Sequence, residues 1–458
     1  MNSTIMWFRQ DLRLADNAAL DAAVAQGPVL PVYVLDDEAA GAWRTGRAQR
    51  WWLHHSLVAL DAALRERGTP LLFLRGDAVA LLAALAEAVG AGAVHASRLY
   101  EPWARERDAT LALALGSRQL VLHSGALLHE PHRIRTGQGT PYTVYSPFAR
   151  AIFALGDPPP PLAAPAALAP VPHAPGLEID GLGLLPSRDW ADAFPRHWVP
   201  GEAAAAARIG GFGQAELAGY ADGRNIPSVA GTSGLSPHLH HGEASPRQVW
   251  HAARAAGAGG DHPWLKEIIW REFSSHLLWH RPMMPEQPLQ PGFANFPFEP
   301  DAALLHAWQR GRTGYPIIDA GMRQLSVTGW MHNRVRMIVA SFLVKHLLQP
   351  WQAGAAWFWD KLVDADLASN SASWQWVAGS GADAAPYFRV FNPILQGEKF
   401  DPAGAYVRTW LPALAAVPDR FIHQPWNAPV PPAGYPARII DHAAGRARAL
   451  AAYAAMRA

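Results

Sequence analysis

Residues 28–36 read PVLPVYVLD, a short apolar run of strand length that follows Gly27 and ends at Asp36. Four further runs share its character: STIMWF at 3–8, TPLLFLRG at 69–76, AVHASRLY at 93–100 and RQLVLHSG at 118–125. Between them, Ala- and Leu-rich helical patterns predict helices over 17–26, 48–67, 77–89 and 103–115. Strand–helix alternation of this kind means an α/β domain with an open, mainly parallel, Rossmann-like sheet and helices on both faces. No G-x-G-x-x-G follows the first strand, so a dinucleotide held there in the usual manner is not expected.

The rest of the chain reads differently. Residues 155–176, LGDPPPPLAAPAALAPVPHAPG, carry too much Pro for a regular element and predict an extended connector. From about 201 onward the helical period dominates. The expected organisation is an α/β domain over 1–130, an interdomain linker over 131–200 and a helical domain over 201–458, with no internal repeat. A chain of 458 residues is long enough for several cores.

Composition narrows the function classes. Lys and Arg number 39 against 38 Asp and Glu, so a nucleic-acid partner is neither advertised nor excluded. There is no Cys, which removes disulfides, thiolate chemistry and Cys-ligated metals. The N-terminus reaches charge too early for a signal peptide and no run approaches a membrane span, so a cytoplasmic protein is expected. Trp, at 20, exceeds Phe at 16 and Tyr at 10. Core anchors account for many indoles, but flat ligands or electron transfer between indoles would produce the same excess.

Polar groups interleave with aromatic ones in the helical half. WLKEIIWREF (264–273) sets Glu267, Trp270 and Arg271 on one helical face, and GWMHNRVRM (329–337) does the same with Asn333, Arg336 and Met337. Facing a large polar–aromatic ligand explains such faces, and an ion-pair network between helices is the rival. AGTSGLSPHLHHGEASPRQVW (230–250) gathers Thr232, Ser233 and Ser236 with Gly ahead of a helix, as a phosphate site or an ordinary capping loop would. His238, His240 and His241 have no second ligand cluster for a metal and read as solvated loop residues. DKLVDADLASNSASWQW (360–376) brings Asp364, Asp366 and Asn370 ahead of two Trp, with weak helix propensity that suggests a loop wrapped around a ligand. A metal-binding Asp pair is the alternative there, and the aromatic surroundings argue against it.

These motifs, with GRTGYPIIDAGMRQLSVTGWMHNRVRMIVASFLVKHLL (311–348), DAAPYFRVFNPILQGEKFDPAGAYVRTWLP (383–412) and the opening MWFRQDLRLADN (6–17), resemble the DNA photolyase/cryptochrome family. The likeness covers essentially the whole chain and is greatest to microbial cyclobutane pyrimidine dimer photolyases. It implies FAD folded into a U in the helical domain, active in its reduced form FADH−. Tyr220 and the loop of Thr232, Ser233, Gly234, Leu235 and Ser236 would hold its phosphates. Trp270, Arg271, Asn333, Arg336, Asp364, Asp366 and Asn370 would surround sugar and isoalloxazine, with Asn370 at the ring nitrogen protonated on reduction.

By the same resemblance, the partner is damaged DNA and the reaction is light-driven splitting of a flipped-out dimer, by a protein expected to be monomeric. Glu267 would hydrogen-bond the dimer, beside Asn333, Met337, Trp270 and Trp376. Arg224, Arg334, Arg389 and Lys399 would contact phosphates. The helix that carries two His in photolyases of the six-four photoproduct has Asn333 and Met337 here, which fits the cyclobutane class. A cryptochrome-type blue-light receptor is the alternative.

Trp374 and Trp351 match the first two members of the family's Trp triad, and Phe298 stands in the third position, so a branch through Trp357 and Trp359 is expected as one way out. A second, antenna chromophore is implied without its identity. RAQRWWLHHSL (47–57) and YEPWARERD (100–108) lie where it would bind, with methenyltetrahydrofolate as the guess.

Overall fold

The computed structural model describes residues 3–383 and 388–457. Five parallel strands, β1 (Thr4–Phe8), β2 (Val29–Leu35), β3 (Leu72–Arg75), β4 (Ala93–Ser97) and β5 (Gln119–His123), stand in the order β3-β2-β1-β4-β5. They are connected through α1 (Ala18–Gln26), α2 (Arg47–Arg65), α3 (Ala78–Ala88) and α4 (Pro102–Ala114). Every residue of β1 and β2 is buried. Helices on both faces leave such strands no polar alternation, which is why they read as unbroken apolar runs.

The helical domain comprises α5 (Tyr145–Ala154), α6 (Glu202–Gly211), α7 (Gln214–Gly223), α8 (Ser236–His240), α9 (Pro246–Ala255) and α10 (Pro263–His280). It continues with α11 (Ala302–Gln309), α12 (Pro316–Thr328), α13 (Asn333–Ser341), α14 (Trp351–Lys361) and α15 (Leu367–Ala378), and closes with α16 (Pro393–Phe400), α17 (Ala405–Trp410) and α18 (His442–Arg457). One core joins α5 to α7, α9 and α10, and a second gathers α11 to α17 around Trp308 and Trp374.

Three expectations are corrected here. The interval 131–200 is not linker throughout. Helix α5 lies inside it and buries Tyr145, Phe148 and Ile152 in the helical core, while Leu168 and Val171 of the Pro-rich part and Leu182 and Leu184 after it pack on the sheet domain. Secondly, residues 367–378 form a helix despite their weak propensity. Asp366 caps it by accepting from the Ser369 N–H at 2.7 Å, and Gln375 donates to the carbonyls of Met284 and Gln287. Tertiary contacts override propensity there.

Thirdly, His238, His240 and His241 are buried at 1%, 6% and 5% exposure rather than solvated. His238 pairs with Glu243, which also accepts from Trp52 Nε1 and the Gly201 N–H. His240 bonds Gln49, and His241 lies stacked at 11° on Trp52 while bonding the Val363 carbonyl. Glu243 is close in sequence, but Gln49 and Trp52 come from α2 and Val363 from the turn between α14 and α15, so local composition could not reveal the burial of His240 and His241.

The turn after β1 explains the motif MWFRQDLRLADN. Leu12 donates to the His241 carbonyl, fully buried Arg13 donates to the carbonyls of Gly125 and Gly242, and Glu202 accepts from Leu14 and Ala15. Gly242 has φ +71°, and a Cβ there would sit 2.1 Å from the Gln10 carbonyl oxygen. The turn that binds phosphate in dinucleotide folds clasps the helical domain here.

Candidate functional site

Helices α13 and α15 and the loop before α8 converge on one acid. Asp364 is buried, lies 3.0 and 2.8 Å from Arg336 Nη2 through its two oxygens, and accepts from Ser236 Oγ at 2.6 Å. Arg336 also donates to the Met331 carbonyl. The two neighbouring carboxylates thus differ: Asp364 is neutralised by a guanidinium, while Asp366 spends one oxygen on the α15 cap. Asn370, one turn into α15, donates its amide N–H to the Ala355 carbonyl at 3.0 Å. That bond fixes the amide and leaves the Asn370 carbonyl oxygen as an acceptor.

The 232–236 loop meets a cation that the sequence did not single out. Gly234 has φ +63°, and a Cβ on it would lie 2.6 Å from Arg208 Nη1. Arg208, from α6, also lies 3.4 Å from the Ser233 carbonyl and covers the Trp198 ring, with no carboxylate partner among the described residues. Tyr220, at the far end of α7, is buried beside Phe212. Hydroxyls, a bare glycine backbone and an unpaired guanidinium form a donor set suited to a diphosphate. His332 adds a buried N–H: Nδ1 accepts from the Arg334 backbone, so Nε2 carries the proton and has no partner.

On the open side, Trp270 is 37% exposed and stacks face to face on Tyr145 at 3.5 Å. Glu267 is half-buried and paired to Arg224 at 2.5 Å. Burial raises the Glu267 carboxyl above its ordinary range and Arg224 pulls it down. Arg334 donates to Asn225 Oδ1 and lies 3.7 Å from Met337 Sδ. Arg334 and Lys399 both cover Phe400, and Arg224 and Arg389 join burial in lowering the Arg334 pKa. Asn333 and Arg389 are exposed and Trp376 is half-buried. Arg271 turns away to the carbonyls of Ala126 and Leu239, beside Glu272, which accepts from Leu128 and His129.

Trp374 lies in the core at 2% exposure, and the small residue that accommodates it is Gly354 of α14, where a Cβ would sit 2.1 Å from the indole. Its ring neighbours are Phe358 at 5.0 Å and Trp308 at 6.2 Å between centroids. Trp308 is wholly buried, and a Trp in an apolar helix gives no sequence signal beyond core packing. Trp351 shares the cluster, but no ring packs on it among the described residues. Trp359 contacts Trp43 edge-on at 5.6 Å, Trp357 lies under Lys361, and Phe298 packs on Phe296.

The two antenna segments differ. Glu101, Arg107 and Asp108 lie inside the crevice at the strand ends, with Asp108 paired to Arg9. Elsewhere in that segment Pro102, Trp103 and Arg105 are half-buried and Glu106 is exposed. A cavity of about 330 Å³ lies over α2, lined by Arg47, Arg50, Leu184, Arg188 and Trp190 among others.

Two family models match the chain: "DNA photolyase" over residues 4–166 and "FAD binding domain of DNA photolyase" over 264–455. A deoxyribodipyrimidine photo-lyase of Agrobacterium fabrum is 48% identical over 99% of this chain and 98% of its own. Cryptochrome-1 of Arabidopsis thaliana is 39% identical over 93% of this chain and 65% of its own. The crystal structure of a bacterial class III photolyase from Agrobacterium tumefaciens superposes with a TM-score of 0.95 at 47% identity, covering 100% of this chain and 98% of that one.

Proposed function

The chain belongs to the DNA photolyase family, and from that premise we propose the division of labour by which it repairs cyclobutane pyrimidine dimers in light. The carrying observation is that Glu267 of α10, one turn from the exposed Trp270, pairs with Arg224, and Met337 of α13 lies against Arg334, while α13 also carries Arg336 into the Asp364–Ser236 network that leads into the helix of Asn370.

Bound FAD, in its reduced form, supplies on excitation the electron that opens the dimer's four-membered ring and receives it back. Tyr220, Thr232, Ser233, Ser236 and Arg208 would hold the diphosphate. Arg336 and Asp364 would fix the flavin end, and the Asn370 carbonyl oxygen would be the acceptor for a ring N–H. A dimer inside a duplex cannot be reached, so it is taken out of the stack, as photolyases do. Glu267 hydrogen-bonds the dimer bases between Trp270, Trp376, Met337 and Asn333. Arg224, Arg334, Arg389 and Lys399 take strand phosphates and position DNA without reading sequence. A blue-light receptor would leave Glu267 and the guanidinium cluster without a task. Among the described residues no helix is long and apolar enough to cross a membrane.

Glu267→Ala is expected to retain FAD and to lose repair yield severalfold per absorbed photon. An unchanged quantum yield at saturating dimer would remove Glu267 from this role. We assign the antenna to the cavity over α2, where Arg188 and the Trp190 indole, beside Arg47 and Arg50 that pair with Asp360 and Asp37, suit a flat chromophore bearing a carboxylate, such as a folate. Purified Trp190→Ala is expected to lack any near-ultraviolet absorption beyond that of FAD. Retention of a second chromophore in that variant would place the antenna elsewhere.

A further inference from the structure

Arg224 and Glu267 are suited to different parts of a damaged strand, one to a phosphate and the other to a base. In the free protein they hold each other, Arg224 Nη1 to Glu267 Oε1 at 2.5 Å. The charge around this pair is unbalanced. Arg334 is close enough to Arg224 and Arg389 to feel both, yet among the described residues Glu267 is the one carboxylate in an ion pair with any of the three. Three guanidinium groups against one carboxylate favour a further anion, and a backbone phosphate matches their fork geometry.

We infer that Arg224 changes partner when the lesion-bearing strand arrives, moving from Glu267 to a strand phosphate and leaving the Glu267 carboxyl to take a proton from solvent and donate it as a hydrogen bond to a dimer carbonyl. This rests on the reading of the site as a dimer pocket. Arg224 acts as a positioning residue: it couples capture of the backbone to presentation of the acid. Burial already raises the Glu267 carboxyl, and Arg224 is the group that opposes it. The other titratable groups near Glu267 are Tyr220 on α7 and Tyr145 on α5. Both phenols are pushed up by burial and by Glu267 itself, so both stay neutral. With Arg224 on a phosphate, only the raising influence remains.

The sign of the linkage follows. The Glu267 pKa is higher in the complex than in the free protein, so binding takes up protons between the two values, and lesion affinity falls as pH rises through that window. The test is calorimetric titration, in the dark, of a single-stranded oligonucleotide carrying one thymine dimer. Holoprotein is titrated over a range of pH, in paired buffers of different ionisation enthalpy.

Wild type is expected to take up as much as about one proton per lesion bound. Glu267→Gln should take up none from this site, and Arg224→Ala should take up clearly fewer than wild type because its Glu267 has already lost, in the free protein, the group that opposes its upward shift. Equal uptake by wild type and Glu267→Gln would overturn the exchange. So would undiminished uptake by Arg224→Ala, which would mean that the strand's charge alone shifts Glu267. Absence of any preference for the dimer-bearing over the intact oligonucleotide would overturn the pocket reading, and the exchange with it.

Discussion

Protein carrying Asp364→Ala will purify with little or no flavin. Asp364 is buried and receives both Arg336 and the Ser236 hydroxyl, so one carboxylate ties α13, the start of α15 and the 232–236 loop together. Removing it leaves the Arg336 guanidinium facing Ser236 with no counter-charge. Breaking a fully buried pair from one side costs about 3–5 kcal/mol; Arg336 is partly exposed, so the lower end applies, and about 3 kcal/mol drawn from binding is roughly two decades in affinity. The flavin-to-protein absorbance ratio measures this directly. Asp364→Asn keeps the shape and one acceptor and should retain part of the flavin. A full flavin complement in Asp364→Ala would show that the ion pair is an internal brace with no part in binding.

Trp374→Phe will retain flavin and almost abolish its photoreduction. Asn370, on the same helix, is assigned to the flavin, and Trp374 is the indole one turn further on. Phe is far harder to oxidise, and an added barrier of about 3 kcal/mol already slows a step by more than about 100-fold. Repair by chemically reduced protein should persist, because it does not draw on that electron. The onward route is less evenly spaced than a simple triad. Trp308 touches Trp374 but is wholly buried, so a hole there has no exit to solvent. Trp359 is only partly buried and sits against Trp43, which suits a surface terminus. We therefore expect Trp308→Phe to be nearly silent and Trp351→Phe or Trp359→Phe to slow photoreduction. Phe298→Trp should accelerate it. Photoreduction at the wild-type rate in Trp374→Phe would exclude this indole as the entry point.

The parts of the molecule legible in the sequence are those whose signal is local. Residues buried on both faces of a parallel sheet must be apolar, and so β1 and β2 announce themselves. The polar–aromatic faces of α10 and α13 were visible through helical spacing, and the motif likeness then supplied roles for them. What stayed hidden depends on distant partners. Helix α15 is written in Ser, Asn and Ala and is held by its Asp366 cap, by Gln375 reaching the 284–287 backbone and by Trp374 seated on Gly354. Buried His240 and His241 owe their state to Gln49 and Val363. Arg208 reaches the 232–236 loop only because residue 234 lacks a side chain. The Arg224–Glu267 pair likewise joins two residues that the sequence assigned to separate tasks.

The most direct test is to mix reduced holoprotein with an oligonucleotide carrying one thymine dimer, divide the sample between blue light and darkness, and count restored thymines by chromatography. Restoration in light, none in darkness and none with flavin-free Asp364→Ala is the predicted result. Dimers that survive illumination by flavin-loaded, reduced protein, or that disappear equally in the dark, would contradict the account.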